Sequence, residues 1–80
     1  MKARVTVTLK SGVLDPQGQA ILGSLKSLGY DGVNSVRQGK VFDVLLDGTD
    51  EAAARLTLDL ICARLLANIV IENYSIEISH

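Results

Sequence analysis

The chain has 80 residues, 48% of them hydrophobic, and a formal charge of −1 from eight basic and nine acidic side chains. A unit of this length buries only about 60% of the surface that its unfolded chain exposes, so reinforcement is expected. Cys62 is the one cysteine and His80 the one histidine, which excludes an internal disulfide and a zinc cage and leaves self-association. Basic and acidic residues are interspersed, with no footprint for nucleic acid or an anionic membrane. No apolar run approaches membrane-spanning length, and Met1 to Thr6 alternates apolar and polar residues where a signal peptide would be continuously apolar. A cytoplasmic protein with one domain over residues 1–80, and neither nucleic acid nor membrane as partner, is expected.

Ala3, Val5, Val7 and Leu9 alternate with Lys2, Arg4, Thr6 and Thr8, the period of a strand with one buried face. Lys10-Ser11-Gly12 breaks it. Asp15 before Pro16 has the chemistry of a helix start: the carboxylate accepts from free amides, and proline at the first position gives up no needed donor. Ile21, Leu25 and Leu28 then recur at helical spacing, and Gly29 suits a left-handed cap. Val33 to Arg37, the turn Gln38-Gly39-Lys40 and the run Val41 to Leu46 read as a hairpin. Asp47 to Asp50 punctuates the chain before a second helix from Glu51 to about Leu66, and Tyr74, Ile76 and Ile78 mark a last strand. The order βαββαβ predicts an α+β two-layer sandwich, an antiparallel sheet with two helices.

The second helix carries two apolar stripes. Ala53, Leu56, Leu60, Ala63 and Ala67 form one; Leu58, Ile61, Cys62 and Leu65 form the other. One stripe suffices to face the chain's own sheet, and leaving the other wet forgoes several kcal/mol at about 25 cal/mol per Å². Leu58, Ile61, Cys62 and Leu65 are therefore the candidate oligomer interface. The alternative is a helix rotated between the stripes, with the core taking both. The third segment points toward assembly as well, because Val41 and Leu45 flank Asp43 on the face opposite Phe42, Val44 and Leu46.

Reactive groups are few. Cys62 lies on an apolar helix face, where a thiol packs and does not react. Asp15, Asp43, Asp47, Asp50 and Asp59 each have a simpler duty at a cap, turn or wet face. Gly18 to Gly23 lacks the Lys-Ser/Thr pair of a phosphate-binding loop. RNA-recognition modules share the βαββαβ order but need stacking aromatics, of which only Phe42 is placed to serve. No catalytic, cofactor-binding or metal-binding residue is assigned.

Two segments, Val13 to Ile21 around Asp15-Pro16-Gln17-Gly18, and Leu65 to Glu72 around Leu66-Ala67-Asn68 and Val70-Ile71-Glu72, resemble one family. With Gly29-Tyr30 and Arg37-Gln38-Gly39-Lys40 between them, the chain is similar to the PurS-type small subunits of phosphoribosylformylglycinamidine synthase, an amidotransferase of purine biosynthesis. Ile69 departs from the proline or threonine common in such sequences. The resemblance implies a non-catalytic, homodimeric or larger assembly subunit bridging a glutaminase subunit and a synthetase subunit. It also implies that the synthetase uses ATP and magnesium to activate an amide oxygen of formylglycinamide ribonucleotide for replacement by ammonia released from glutamine. Arg37, Lys40, Asn68 and Glu72, polar residues in or beside turns, become the candidate partner contacts. Two other classes compete: a regulatory βαββαβ domain binding a small molecule between subunits, and a stand-alone enzyme, which would need a convergent reactive pair.

Overall fold

The computed structural model describes residues 1–80. Strand β1 (Lys2–Leu9) forms the middle of a three-stranded antiparallel sheet, with β2 (Gly39–Leu45) on one side and β3 (Glu72–Ser79) on the other. In register, Val5 stands opposite both Phe42 and Ile76, and Arg4 opposite both Asp43 and Glu77. Alternation therefore sends Ala3, Val5 and Val7 to the inner face, fully buried, and Lys2, Arg4, Thr6 and Thr8 to the outer one. On that outer face Arg4 Nε lies 3.0 Å from Asp43 Oδ1, both side chains about half exposed.

Helix α2 (Glu51–Ile61) starts at Asp50, whose side chain accepts from the Ala53 amide, and widens over Cys62–Leu66 into a π-helical end closed by Ala67 N–H to Cys62 O. The helix covers the inner face. Leu58, Cys62 and Ala67 are buried against Ala3, Val5 and Val7, with Phe42, Val44, Tyr74, Ile76 and Ile78 around them. Burial pushes the Cys62 thiol up, with Asp59 adding to the effect, so it stays protonated and inert.

Two expectations are corrected here. The stripe proposed as the oligomer interface is split: Leu58 and Cys62 lie in the protomer's own core, Ile61 is half-buried, and only Leu65 is open, 79% exposed. The face turned away from the sheet carries the other stripe from Ala53 to Ala63, with Leu56 and Leu60 exposed, whereas its last residue, Ala67, joins the core. A period fixes two stripes but not the helix's rotation about its axis. Val33 to Arg37 does not form the first arm of a hairpin; residues 33–38 lie outside the ladders, held by the connection between β1 and α1.

Helix α1 (Pro16–Ser27), ended by Gly29 at φ +94°, contributes nothing to the core cluster and buries only Gly18. Its position makes the protomer long, 49 × 26 × 14 Å, with a radius of gyration of 16.1 Å, where a closed 80-residue domain would have about 12 Å. Leu58→Ala is expected to lower unfolding stability by about 2–5 kcal/mol in denaturant titrations. Ile61→Ala, at a half-buried position, should cost less.

Candidate functional site at the open end of the sheet

The segments that carry the motif lie far apart in sequence and meet at one end of the sheet, where β1 finishes and β2 and β3 begin. Their centre is Asp15, the only buried acidic residue. Its Oδ1 accepts from the Gly18 amide at 2.9 Å, capping α1, and its Oδ2 accepts from the Gln38 amide at 2.6 Å, 23 residues away. These two amides, Gln38's first, hold the Asp15 carboxyl below the usual carboxylate range against the opposing effect of desolvation. The Arg37 guanidinium donates to the carbonyls of Val13 (2.9 Å) and Lys10 (3.2 Å), closing the same junction from outside. Gln38 Nε2 donates to Gln17 Oε1 at 2.6 Å.

Gly18 is fixed by contact, since a Cβ there would run into the Val36 carbonyl oxygen and lie 2.7 Å from Asp15 Oδ2. Gly39 has a similar role: its Cβ would sit 2.7 Å from the Val7 carbonyl oxygen, so glycine permits β2 to begin against β1.

The last segment closes the other side. Glu72 Oε1 accepts from the Asn68 amide at 2.7 Å, Asn68 Oδ1 accepts from Val70 N–H at 3.2 Å, and Glu72 Oε2 lies 3.8 Å from Lys40 Nζ. Between the two sides is a shallow cleft of about 340 Å³. Asp15, Gln17, Gln38, Lys40 and Glu72 line it over a floor of Val7 and Leu9.

All four candidate partner contacts thus sit at this end. The Asn68 side chain is engaged with the Val70 amide, Glu72 with the Asn68 amide, Arg37 with two carbonyls, and Lys40 with Glu72. Their polar groups shape the end of the molecule. The sequence reading missed Gln17 and Gln38; the only sequence signal was their place beside Asp15-Pro16 and Arg37, because a bridge between residues 21 positions apart leaves no local pattern. It used Ile69 and Val70 only for the family resemblance, although aliphatic residues between Asn68 and Glu72 are unusual for a turn.

Fold and site together define a small α+β subunit with an open, polar end braced by hydrogen bonds to its own backbone. The chain belongs to the PurS family: residues 2–80 match the family model described as PurS, phosphoribosylformylglycinamidine (FGAM) synthase. It is 53% identical to the PurS subunit from Synechocystis sp. over 95% of this chain and 76% of that one. To the Methanocaldococcus jannaschii PurS subunit it is 38% identical over 96% and 93%. The crystal structure of Bacillus subtilis PurS superimposes with a TM-score of 0.88 at 40% identity, covering 99% of this chain and 98% of that one. A chain of PurLQS from Thermotoga maritima does so at 0.85 and 28% identity, covering 95% and 93%. The chain is accordingly a subunit of FGAM synthase and takes part in purine biosynthesis, as part of an ATP-dependent amidotransferase.

Two predictions follow from the Asp15 junction. Its carboxyl is lowered in the folded state, so the stability it supplies is complete above the unfolded value of about 4 and is lost as pH falls through the lower folded value. Asp15→Asn should be less stable at pH 7 and should show a shallower loss below pH 4 in denaturant midpoints against pH. Gly18→Ala reverses the usual helix preference: alanine is favoured by about 1 kcal/mol in a free helix, yet here it should lower the thermal midpoint, because backbone must move.

Proposed function

We propose that this chain is a non-catalytic assembly subunit that acts as a homodimer or larger oligomer and holds the glutaminase and synthetase subunits of FGAM synthase together in the cytoplasm. The observation that carries the proposal is the unfinished protomer. α1 stands outside the core, and Leu14, Leu28, Leu56, Leu60 and Leu65 are all more than half exposed. At about 25 cal/mol per Å², covering such side chains stabilises an assembly by an amount comparable with the whole stability of a small domain. The likeness to a chain within a PurLQS assembly supports a place in such a complex.

The physical purpose is containment. Ammonia released from glutamine at one site has to reach an ATP-activated amide oxygen at another, and in open water it protonates or diffuses away. An adaptor that keeps the sites in contact limits both losses. ATP and magnesium belong to the synthetase partner in this reading. The chain's single cysteine is buried, and its one deeply buried carboxylate is occupied by backbone amides. Neither is free to act as nucleophile or base.

Purified glutaminase and synthetase subunits supplied with glutamine, ATP and formylglycinamide ribonucleotide should form product in a manner dependent on this chain. The chain alone should hydrolyse no glutamine. Equal product formation without it would overturn the adaptor role and turn attention to a ligand-binding regulatory domain.

A further inference from the structure

We infer that two copies of this chain exchange α1: the apolar face of α1 from one copy lies in the groove that the other leaves open on the inner side of its sheet, between β2 and α2. The inference rests on the oligomeric reading above and specifies the contact.

The groove comes from the position of α2. That helix is fastened on its β3 side, where Arg55 Nη1 donates to the Ile76 carbonyl at 3.3 Å and the Tyr74 hydroxyl donates to Asp59 Oδ1 at 3.4 Å. On the other side Ala54 and, two turns on, Ile61 are only half-buried, as are Phe42, Val44 and Leu46 along β2. The space between them opens into a groove of about 380 Å³, with Leu46, Ala53, Ala54 and Thr57 as walls and the 47–50 loop as its end.

The occupant is argued from the same protomer. A two-layer βαββαβ unit lays both of its helices on one sheet. Here α1 stays off the core and turns outward an exposed Ile21 and a 73% exposed Leu28, with half-buried Leu25 between them at helical spacing. Each copy thus has one helix without a sheet and one groove without a helix, and a two-fold exchange satisfies both in a closed pair. The lengths agree, because the twelve residues of α1 span about 18 Å and the seven of β2 about 23 Å. Charge agrees as well: Lys26 is the one charged residue of α1, and Asp47 and Asp50 stand on the rim of the groove. The area is also that of a dimer. The protomer exposes 5654 Å², where a compact chain of 8.6 kDa exposes about 4,700 Å². Covering that excess in two copies buries about 1,900 Å², within the range of about 1,200–2,000 Å² that stable pairs bury.

The test uses two variants of the full chain, Ile21→Ser with Leu28→Ser on α1 and Thr57→Arg in the groove. All three positions lie outside the buried core, and Cys62, buried beneath α2, reports the fold by its protection from a thiol reagent. Leu28→Ala and Ala53→Arg replace either variant that fails this check. Sedimentation across a range of protein concentrations gives the oligomeric state. The parent should be a dimer, and each variant alone should dissociate about 10- to 100-fold more readily. Mixed one to one, the two variants should form a heterodimer tighter than either homodimer, because the intact α1 of one meets the intact groove of the other. A mixture weaker than both variants would place α1 and α2 each against its own counterpart and overturn the exchange. Undiminished dimers of either variant would overturn it too and leave the groove to an unlike subunit. A parent chain that stays monomeric would overturn the oligomeric reading itself.

Discussion

The arrangement of this protein depends on one carboxylate. Asp15, between the end of β1 and α1, ties the start of α1 to the approach to β2, where α1 adds no residue to the buried cluster. Its two oxygens take backbone amides separated by twenty residues of sequence, Gly18 and Gln38. A charged acceptor bonded to backbone amides in a nearly dry site makes strong, directional hydrogen bonds, and those bonds are costly to break singly because a buried charge would be left behind. Direction matters more here than energy. Since α1 adds no side chain to the core cluster, the angle at which it leaves the sheet is set by polar geometry at its N-terminus, with Arg37 bracing the same junction through two carbonyls.

That division of labour explains the shape. The core is one helix on one sheet, and its tightest part consists of small and branched residues, Ala3, Val5, Val7, Leu58 and Cys62. A layer this thin leaves aliphatic surface on α1, on the outer side of α2 and at Leu45 of β2, 82% exposed. A closed domain of this length would hide more of it. The protomer is long because α1 lies off the core, and hydrogen bonds at its N-terminal junction hold its exposed aliphatic surface in place.

How much of this could be read from the sequence follows from the range of each interaction. The helix start at Asp15-Pro16, the stop at Gly29 and the alternation in β1 and β3 are local, and the sequence displays them directly. The π-helical end of α2 falls inside the span read as helix. Which stripe of that helix meets the sheet was not legible, because periodicity is silent about rotation about the axis; Leu58 and Cys62, read as outward-facing, are the core. The hairpin expected at Val33 to Leu46 lost its first arm for a related reason. Alternation and a turn at Gly39 describe a strand's willingness to pair, whereas the Gln38 amide is taken by Asp15 and the Arg37 side chain by carbonyls near residue 10, so the segment follows the α1 junction.

The four polar residues singled out as candidate partner contacts each have a structural duty as well. Polar side chains beside turns are read as binding groups because turns lie on the surface. Spacing at Asn68 and Glu72 already permitted another reading: residues four apart across a tight turn are placed to satisfy each other's backbone, and they do so here. Once the amides of a turn are bonded internally, its backbone no longer requires water, and the penalty for bringing it against an apolar surface falls. The internal bonds of Asn68 and Glu72 thus fix the turn that carries them, while the Arg37 and Lys40 side chains, bonded at the same end, remain at the surface.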